Sequence, residues 1–179
     1  MIQKNIILLD GRKATIRLLS SDDTERLYNY FCVGISEEDF LLFKDNVKDY
    51  FVIKGWVENV DLDRVVPIVG VDDLTEEIIA TGTLHTRGHG WFRYLGKIRV
   101  SVCLRCRGIG LGKAMIETLL EIARERRLRA VIAEVLSVQS IALKVFKEVG
   151  FVEVGKIDSI AKDLKMNPMD LHILVYYLD

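Results

Sequence analysis

The chain has 179 residues, half of them hydrophobic and 28% charged, with a formal net charge of −1. That size suits one domain with a sizeable core, and the near-neutral balance excludes nucleic acid held by bulk positive charge. Met1-Ile2-Gln3-Lys4 lacks signal-peptide anatomy, no apolar run reaches the roughly 18 residues of a membrane span, and an odd count of three cysteines points to a reducing compartment. The expectation is a soluble cytoplasmic protein with neither a nucleic-acid nor a membrane partner.

Ile6–Leu9 and Ala14–Leu18 read as strands around an Asp10-Gly11 turn. Ser20-Ser21-Asp22-Asp23 caps a helix that buries Leu27, Tyr28 and Phe31 and ends at Gly34. Ser36-Glu37-Glu38 starts a second short helix through Phe43. From Val47 to Val60 the spacing is helical, but Gly55 interrupts it. Val65–Val71 is a strand that Pro67 pushes toward a sheet edge or an irregular entry, and Ile78–His85 and Lys97–Leu104 are the next two. Leu111, Ala114, Met115, Thr118, Leu119, Ile122 and Ala123 repeat at the helical period. Ala130–Leu136 is nearly all apolar, as for a strand covered on both faces. A helix from Gln139 to Val149 stops at Gly150, and Phe151–Lys156 and Leu171–Leu178 are the last strands, with a polar loop from Asp158 to Asp170. The order ββ-αα(α)-βββ-α-β-α-β-β gives an α/β (α+β) fold: a mixed, mostly antiparallel sheet flanked by helices, with one right-handed βαβ crossover.

The most informative stretch is Val100–Gly112, a strand, a basic turn and three glycines opening the long helix. A helix head leaves N–H groups unpaired at the positive end of the dipole, so its natural occupant is an anion. Arg105, Arg107 and Lys113 surround it with positive charge. Ala114 after Lys113 supplies no hydroxyl for Mg²⁺, which sets the loop apart from a P-loop, and its spacing is not that of a dinucleotide fingerprint. Physically it is a phosphate or diphosphate site.

Arg107-Gly108-Ile109-Gly110-Leu111-Gly112 fits the pattern Arg/Gln-x-x-Gly-x-Gly/Ala, and here the chain resembles the GNAT N-acetyltransferases. A second signature follows at the right distance: Gln139-x-x-Ala142-x-x-x-Phe146-x-x-x-Gly150-Phe151 is similar to the family's Asn-x-x-Ala-x-x-x-Tyr-x-x-x-Gly-Phe. Ile16-Arg17, Ser36-Glu37-Glu38 through Phe43, Val60-Asp61-Leu62-Asp63-Arg64 and Glu134-Val135-Leu136 look like protein lysine acetyltransferases of bacteria and archaea. The core resemblance spans residues 14–156, and residues 1–179 would form a single N-acetyltransferase domain.

The resemblance implies that the family's fourth and fifth strands, here Lys97–Leu104 and Ala130–Leu136, splay apart and that acetyl-CoA, as co-substrate, lies between them. Val102, Cys103 and Leu104 would pair through their backbone with the pantetheine arm. The amides of Gly108, Ile109, Gly110, Leu111, Gly112 and Lys113 would hold the diphosphate, with Arg107 and Lys113 neutralising it. Gln139 would take the place of the pantetheine-contacting asparagine. The partner is an amine acceptor, a protein lysine or N-terminal amine, with a small molecule or a silent acyl-CoA-binding domain as alternatives. A homodimer is compatible with this and no metal is implied.

Amine acetylation is limited more by the nucleophile than by the leaving group. An ammonium of pKa about 10.4 costs roughly 4–5 kcal/mol to deprotonate at pH 7, whereas a thiol of pKa about 8.5 leaves readily. Glu134, a carboxylate in an apolar strand where burial should raise its pKa, is the expected base, with a structural ion pair to Lys97 or Arg99 as the plain alternative. Its twelve-residue lead over Phe146 is similar to that of the base proposed in ribosomal-protein N-terminal acetyltransferases. His85 is the other candidate base. Phe146 stands where many members carry a tyrosine acid and cannot donate a proton, and Lys97–Val102 lacks the glutamate common there in lysine acetyltransferases. Cys103-x-x-Cys106 with His85-x-x-x-His89 has ligand-like spacing, but a strand end puts the two cysteines on different faces.

Overall fold

In the computed structural model, which describes residues 2–178, the chain is built on one eight-stranded sheet. Its strands are β1 (Gln3–Ile7), β2 (Lys13–Leu18), β3 (Val65–Asp72), β4 (Ile78–His85), β5 (Leu95–Val102), β6 (Ala130–Leu136), β7 (Val152–Lys162) and β8 (Pro168–Tyr177). They lie in the order β1-β2-β3-β4-β5-β6-β8-β7, and only the β5–β6 pair is parallel. The α-helices are α1 (Thr24–Asn29), α2 (Glu37–Phe40), α3 (Tyr50–Glu58), α4 (Leu111–Glu125) and α5 (Ser140–Val149). This is the expected element order, with the stretch interrupted by Gly55 folding as α3.

Helix α4 carries the main hydrophobic face. Leu111, Met115, Leu119 and Ala123 are fully buried on one face of the sheet, against β4 and β5. Burying each large apolar side chain stabilises the fold by roughly 1.5–3 kcal/mol. On the other face, Phe31 meets Phe43 and Trp56 edge-on at 5.1 and 6.1 Å. Tyr30 and Leu27 are buried, whereas Tyr28 is only half-buried. Helix α5 ends as expected at Gly150.

Pro67 is the third residue of β3, a central strand and not an edge, at a point beyond the last β2–β3 pair, Leu18–Ile68, where its carbonyl accepts from Leu19 N–H. Two expectations change. Strand β6 is buried on one face only, through Val131, Ala133 and Val135, while Glu134 on the other is exposed. The polar stretch 158–170 is mostly strand: β7 and β8 pair from Val152–Val175 out to Lys162–Pro168, leaving a short turn. A ribbon extending beyond the core is wet on both faces and so lacks the alternation that marks a strand.

The N-terminal entry to α1 is fixed by a buried ion pair. Asp23, 1% exposed, accepts from both terminal nitrogens of Arg17 at 2.6 and 2.8 Å and from Ser20 N–H at 2.8 Å. Burial disfavours its charge, but the guanidinium and the amide outweigh that and hold the carboxyl below its ordinary value. Replacing it as Asp23→Asn leaves Arg17 without its counter-charge and should cost about 3 kcal/mol in urea melts at pH 7. A carboxyl depressed in the folded state stabilises only above its unfolded value of about 3.9. The difference between wild type and variant should therefore persist at pH 5–7 and shrink as the pH falls below 4.

Candidate active site

The parallel pairing of β5 with β6 covers only Leu95–Ala130, Gly96–Val131 and Lys97–Ile132. Beyond Lys97, β5 continues along β4 to Val102, while β6 stays paired with β8 to Leu136. A gap therefore opens in the middle of the sheet. Backbone groups alternate in direction along each strand. Tyr94 C=O accepts from Arg129 N–H on the β6 side, and Cys103 N–H donates to Ile79 C=O on the β4 side. By that alternation Val100 and Val102 direct their backbone groups into the gap. Cys103 does not: its N–H is spent on Ile79 at 3.0 Å and its C=O on Cys106 N–H at 3.0 Å. Of the stretch Val102–Leu104, only Val102 is turned to the gap by this alternation, together with Val100; Leu104 lies in the turn that follows, where its C=O accepts from Arg107 N–H at 3.4 Å.

On the opposite wall, Leu136 N–H is bound by Gln139 Oε1 at 3.0 Å. Ser137 N–H donates to Asp170 on the β8 side, so alternation puts Leu136 N–H, and Gln139 with it, at the gap. The Gln139 oxygen is engaged locally, and its amide N–H groups are left for a carbonyl.

At the end of the gap stands the head of α4. Gly110 is its N-cap, with φ +86°, a conformation only glycine adopts without strain, and no side chain among the described residues caps the helix. The N–H groups of Leu111, Gly112 and Lys113 are thus left for an outside acceptor. Gly108 also has positive φ, whereas Gly112 is helical and an added Cβ there would meet only Val102 Cγ2, at 3.6 Å. The N-terminal hairpin braces this loop: Leu9 N–H donates to Ile109 C=O at 3.1 Å, and Arg12 reaches Cys106 Sγ at 3.5 Å.

The three loop cations differ. Lys113 is exposed and has no acidic partner among the described residues. Arg105 is paired with Glu77 outside the gap. Arg107 donates through Nε to Val102 C=O at 3.3 Å and pairs with Asp39 of α2 at 2.6 Å. Burial opposes the charge of Asp39, but the Ser36 hydroxyl and Arg107 outweigh it and keep the carboxyl low. Asp39 escaped the sequence reading, although Ser36-x-x-Asp39 is a capping-box signature and both bonds of the box form.

The sheet face opposite α4 carries the odd-numbered side chains of β5, namely Lys97, Arg99 and Ser101, and Glu134 of β6. Lys97 and Ile132 are the last pair, so Arg99 and Glu134, each two residues on, stand on the two walls at the mouth of the gap. Glu134 is not buried as expected: its side chain is 42% exposed, and Oε2 accepts from Lys97 Nζ at 2.5 Å. His85 is registered beside Lys97, below the split, with Nε2 3.0 Å from Thr83 Oγ1. Burial first, and then the charges of Arg99, Lys97 and Lys44, hold its imidazole below the ordinary histidine value.

Tyr30, which the helical stripe did not single out, is buried against this face and donates to Ser101 Oγ at 2.8 Å. Phe146 packs edge-on against Phe151 at 5.0 Å, a core residue. Cys103 is a protonated thiol pushed up to about 12, by burial first and then by Cys106. Among the described residues no group of three or more His, Cys, Asp or Glu could hold a metal ion, and no helix is long and apolar enough to cross a membrane.

The loop and the gap fit a nucleotide-bearing thioester: uncapped amides and Lys113 for a diphosphate, and free strand edges for an amide-containing arm. Residues 29–151 match the family model described as the acetyltransferase (GNAT) family. No curated protein matches in sequence. Among solved structures, the GNAT domain of PAT from S. lividans superposes with a TM-score of 0.80 at 21% identity, over 98% of this chain and 97% of that one. The ribosomal-protein-alanine N-acetyltransferase of Brucella melitensis gives 0.75 at 21%, over 91% and 99%. An acetyltransferase of Salmonella typhimurium, solved with its cofactor acetyl-CoA, gives 0.75 at 19%, over 93% and 94%. With more than half its length matched to the family model and the same fold in all three structures, the chain belongs to the GNAT family and is an acetyl-CoA-dependent acetyltransferase.

Proposed function

We propose that this protein acetylates a primary amine, a protein lysine or an N-terminal amine, by direct attack within a ternary complex. The observation that carries this is the gap between β5 and β6, with unpaired amides at its end and a carboxylate at its mouth. Structures sharing the fold include a protein named PAT and a ribosomal-protein-alanine N-acetyltransferase, which supports a protein acceptor.

Acetyl-CoA supplies the activated thioester. The amides of Leu111, Gly112 and Lys113, with the Lys113 ammonium, hold its diphosphate. Arg107 joins them by exchanging Asp39 for phosphate. Val100, Val102 and Leu104 bind the pantetheine arm, Gln139 donates to it from the far wall, and gap-facing N–H groups of β5 stabilise negative charge on the carbonyl oxygen. Glu134 takes the proton from the incoming ammonium. Its position past the last strand pair supports this role over His85, which lies below the split. Lys97 orients the Glu134 carboxylate through their ion pair.

Two measurements test the assignment. Gly112→Asp leaves the helix head sterically free and electrostatically favourable, so it should melt no lower than wild type. It sets a carboxylate against the diphosphate, and calorimetric titration should show CoA affinity weakened at least about tenfold. Unchanged affinity would remove the loop from the binding site. Glu134→Gln should lower kcat by roughly 10²-fold with CoA affinity intact, and a loss within about twofold would pass the base to His85 or water.

A further inference from the structure

The charge at the mouth of the gap is unusual for an enzyme that receives an ammonium. Lys97 is matched by Glu134 at 2.5 Å. Arg99, exposed on the same face two residues on, has no acidic partner among the described residues. The registers place Arg99 opposite Thr83, two residues from His85. The charges that bear on the His85 imidazole are those of Arg99, Lys97 and Lys44, all cations. Against the one carboxylate of Glu134 this end of β5 holds two positive groups, Lys97 and Arg99, so the guanidinium is left over.

Such a face repels an acceptor whose amine is surrounded by further cations. It attracts one whose amine sits beside a negative group, and a guanidinium is well shaped to bind a carboxylate through two parallel hydrogen bonds. We infer that the acceptor is an amine with a carboxylate beside it, held by Arg99 while the amine faces Glu134. The inference rests on the acetyl-transfer reading and narrows its acceptor. The carboxylate comes either from a free amino acid or from an acidic residue flanking the amine in a polypeptide.

Both sources can be tested with matched probes on the intact, CoA-saturated protein. Phenylalanine is compared with phenylalaninamide, and an N-terminal alanyl peptide bearing glutamate at its second position with the same peptide bearing glutamine. Binding is read by titration and turnover by thiol release from acetyl-CoA. In at least one pair the acid form should be preferred roughly tenfold or more, mainly through KM, as a charge-assisted contact would give, and the pair that responds identifies the source. Arg99→Gln should bring that preference to within about twofold without changing CoA affinity. Acid and amide forms that bind and react alike would overturn the inference while leaving acetyl transfer standing. Preferential binding of the acid form with no turnover of any amine would defeat the transfer reading and with it the assignment of an acceptor, leaving Arg99 as a carboxylate-binding group only.

Discussion

The structure turns on two neighbouring strands that stop bonding to each other. β5 and β6 share three residue pairs and then diverge, each held by its outer neighbour. Strand groups inside a sheet are obligatory hydrogen-bonding groups, and leaving them unpaired is costly unless something else binds them. Gln139 already serves one, the N–H of Leu136. Val100 and the Val102 N–H remain for an extended ligand carrying its own amides, the Val102 C=O already accepting from Arg107. A strand-like cofactor arm satisfies that constraint in the way that a missing strand would.

The α4 head and the gap are parts of one crossover. β5 runs into the glycine turn, α4 packs back across β4 and β5, and β6 returns parallel to β5. The connection that makes β6 parallel therefore also places a helix N-terminus at the open end of the gap. Bonds from Leu9 and Arg12 hold the loop from the other side, and Asp39 keeps Arg107 poised at the Val102 carbonyl. In the proposed binding mode the diphosphate and the pantetheine arm would depend on the same few backbone positions.

The parts legible in the sequence were those set by local geometry. The glycines from Gly108 to Gly112 mark an open helix head, the spacing from Leu111 to Ala123 gives the buried face of α4, and Gly150 ends α5. What the sequence did not disclose depends on neighbours. Cys103 lies in the right stretch, yet its backbone faces β4, a matter of pairing parity that no residue type encodes. Glu134 sits among apolar residues, but alternation turns it to the open face beside Lys97. Pro67 is tolerated in a central strand because β2 ends one residue too early to need its N–H. Arg99 and Asp39 became visible as site residues only once register and helix packing brought them to the gap.

Whether a coenzyme occupies the break in the sheet and is gripped by the head of α4 is read most directly from the backbone amide resonances of the protein titrated with CoA. The largest shifts should fall at Leu111, Gly112 and Lys113, with a second group at Val100, Val102 and Leu104. Little change is expected at Cys103, whose N–H is already bonded to Ile79. Shifts confined to another part of the surface, such as the β7–β8 ribbon, or an unchanged spectrum at saturating CoA, would contradict that placement of the coenzyme.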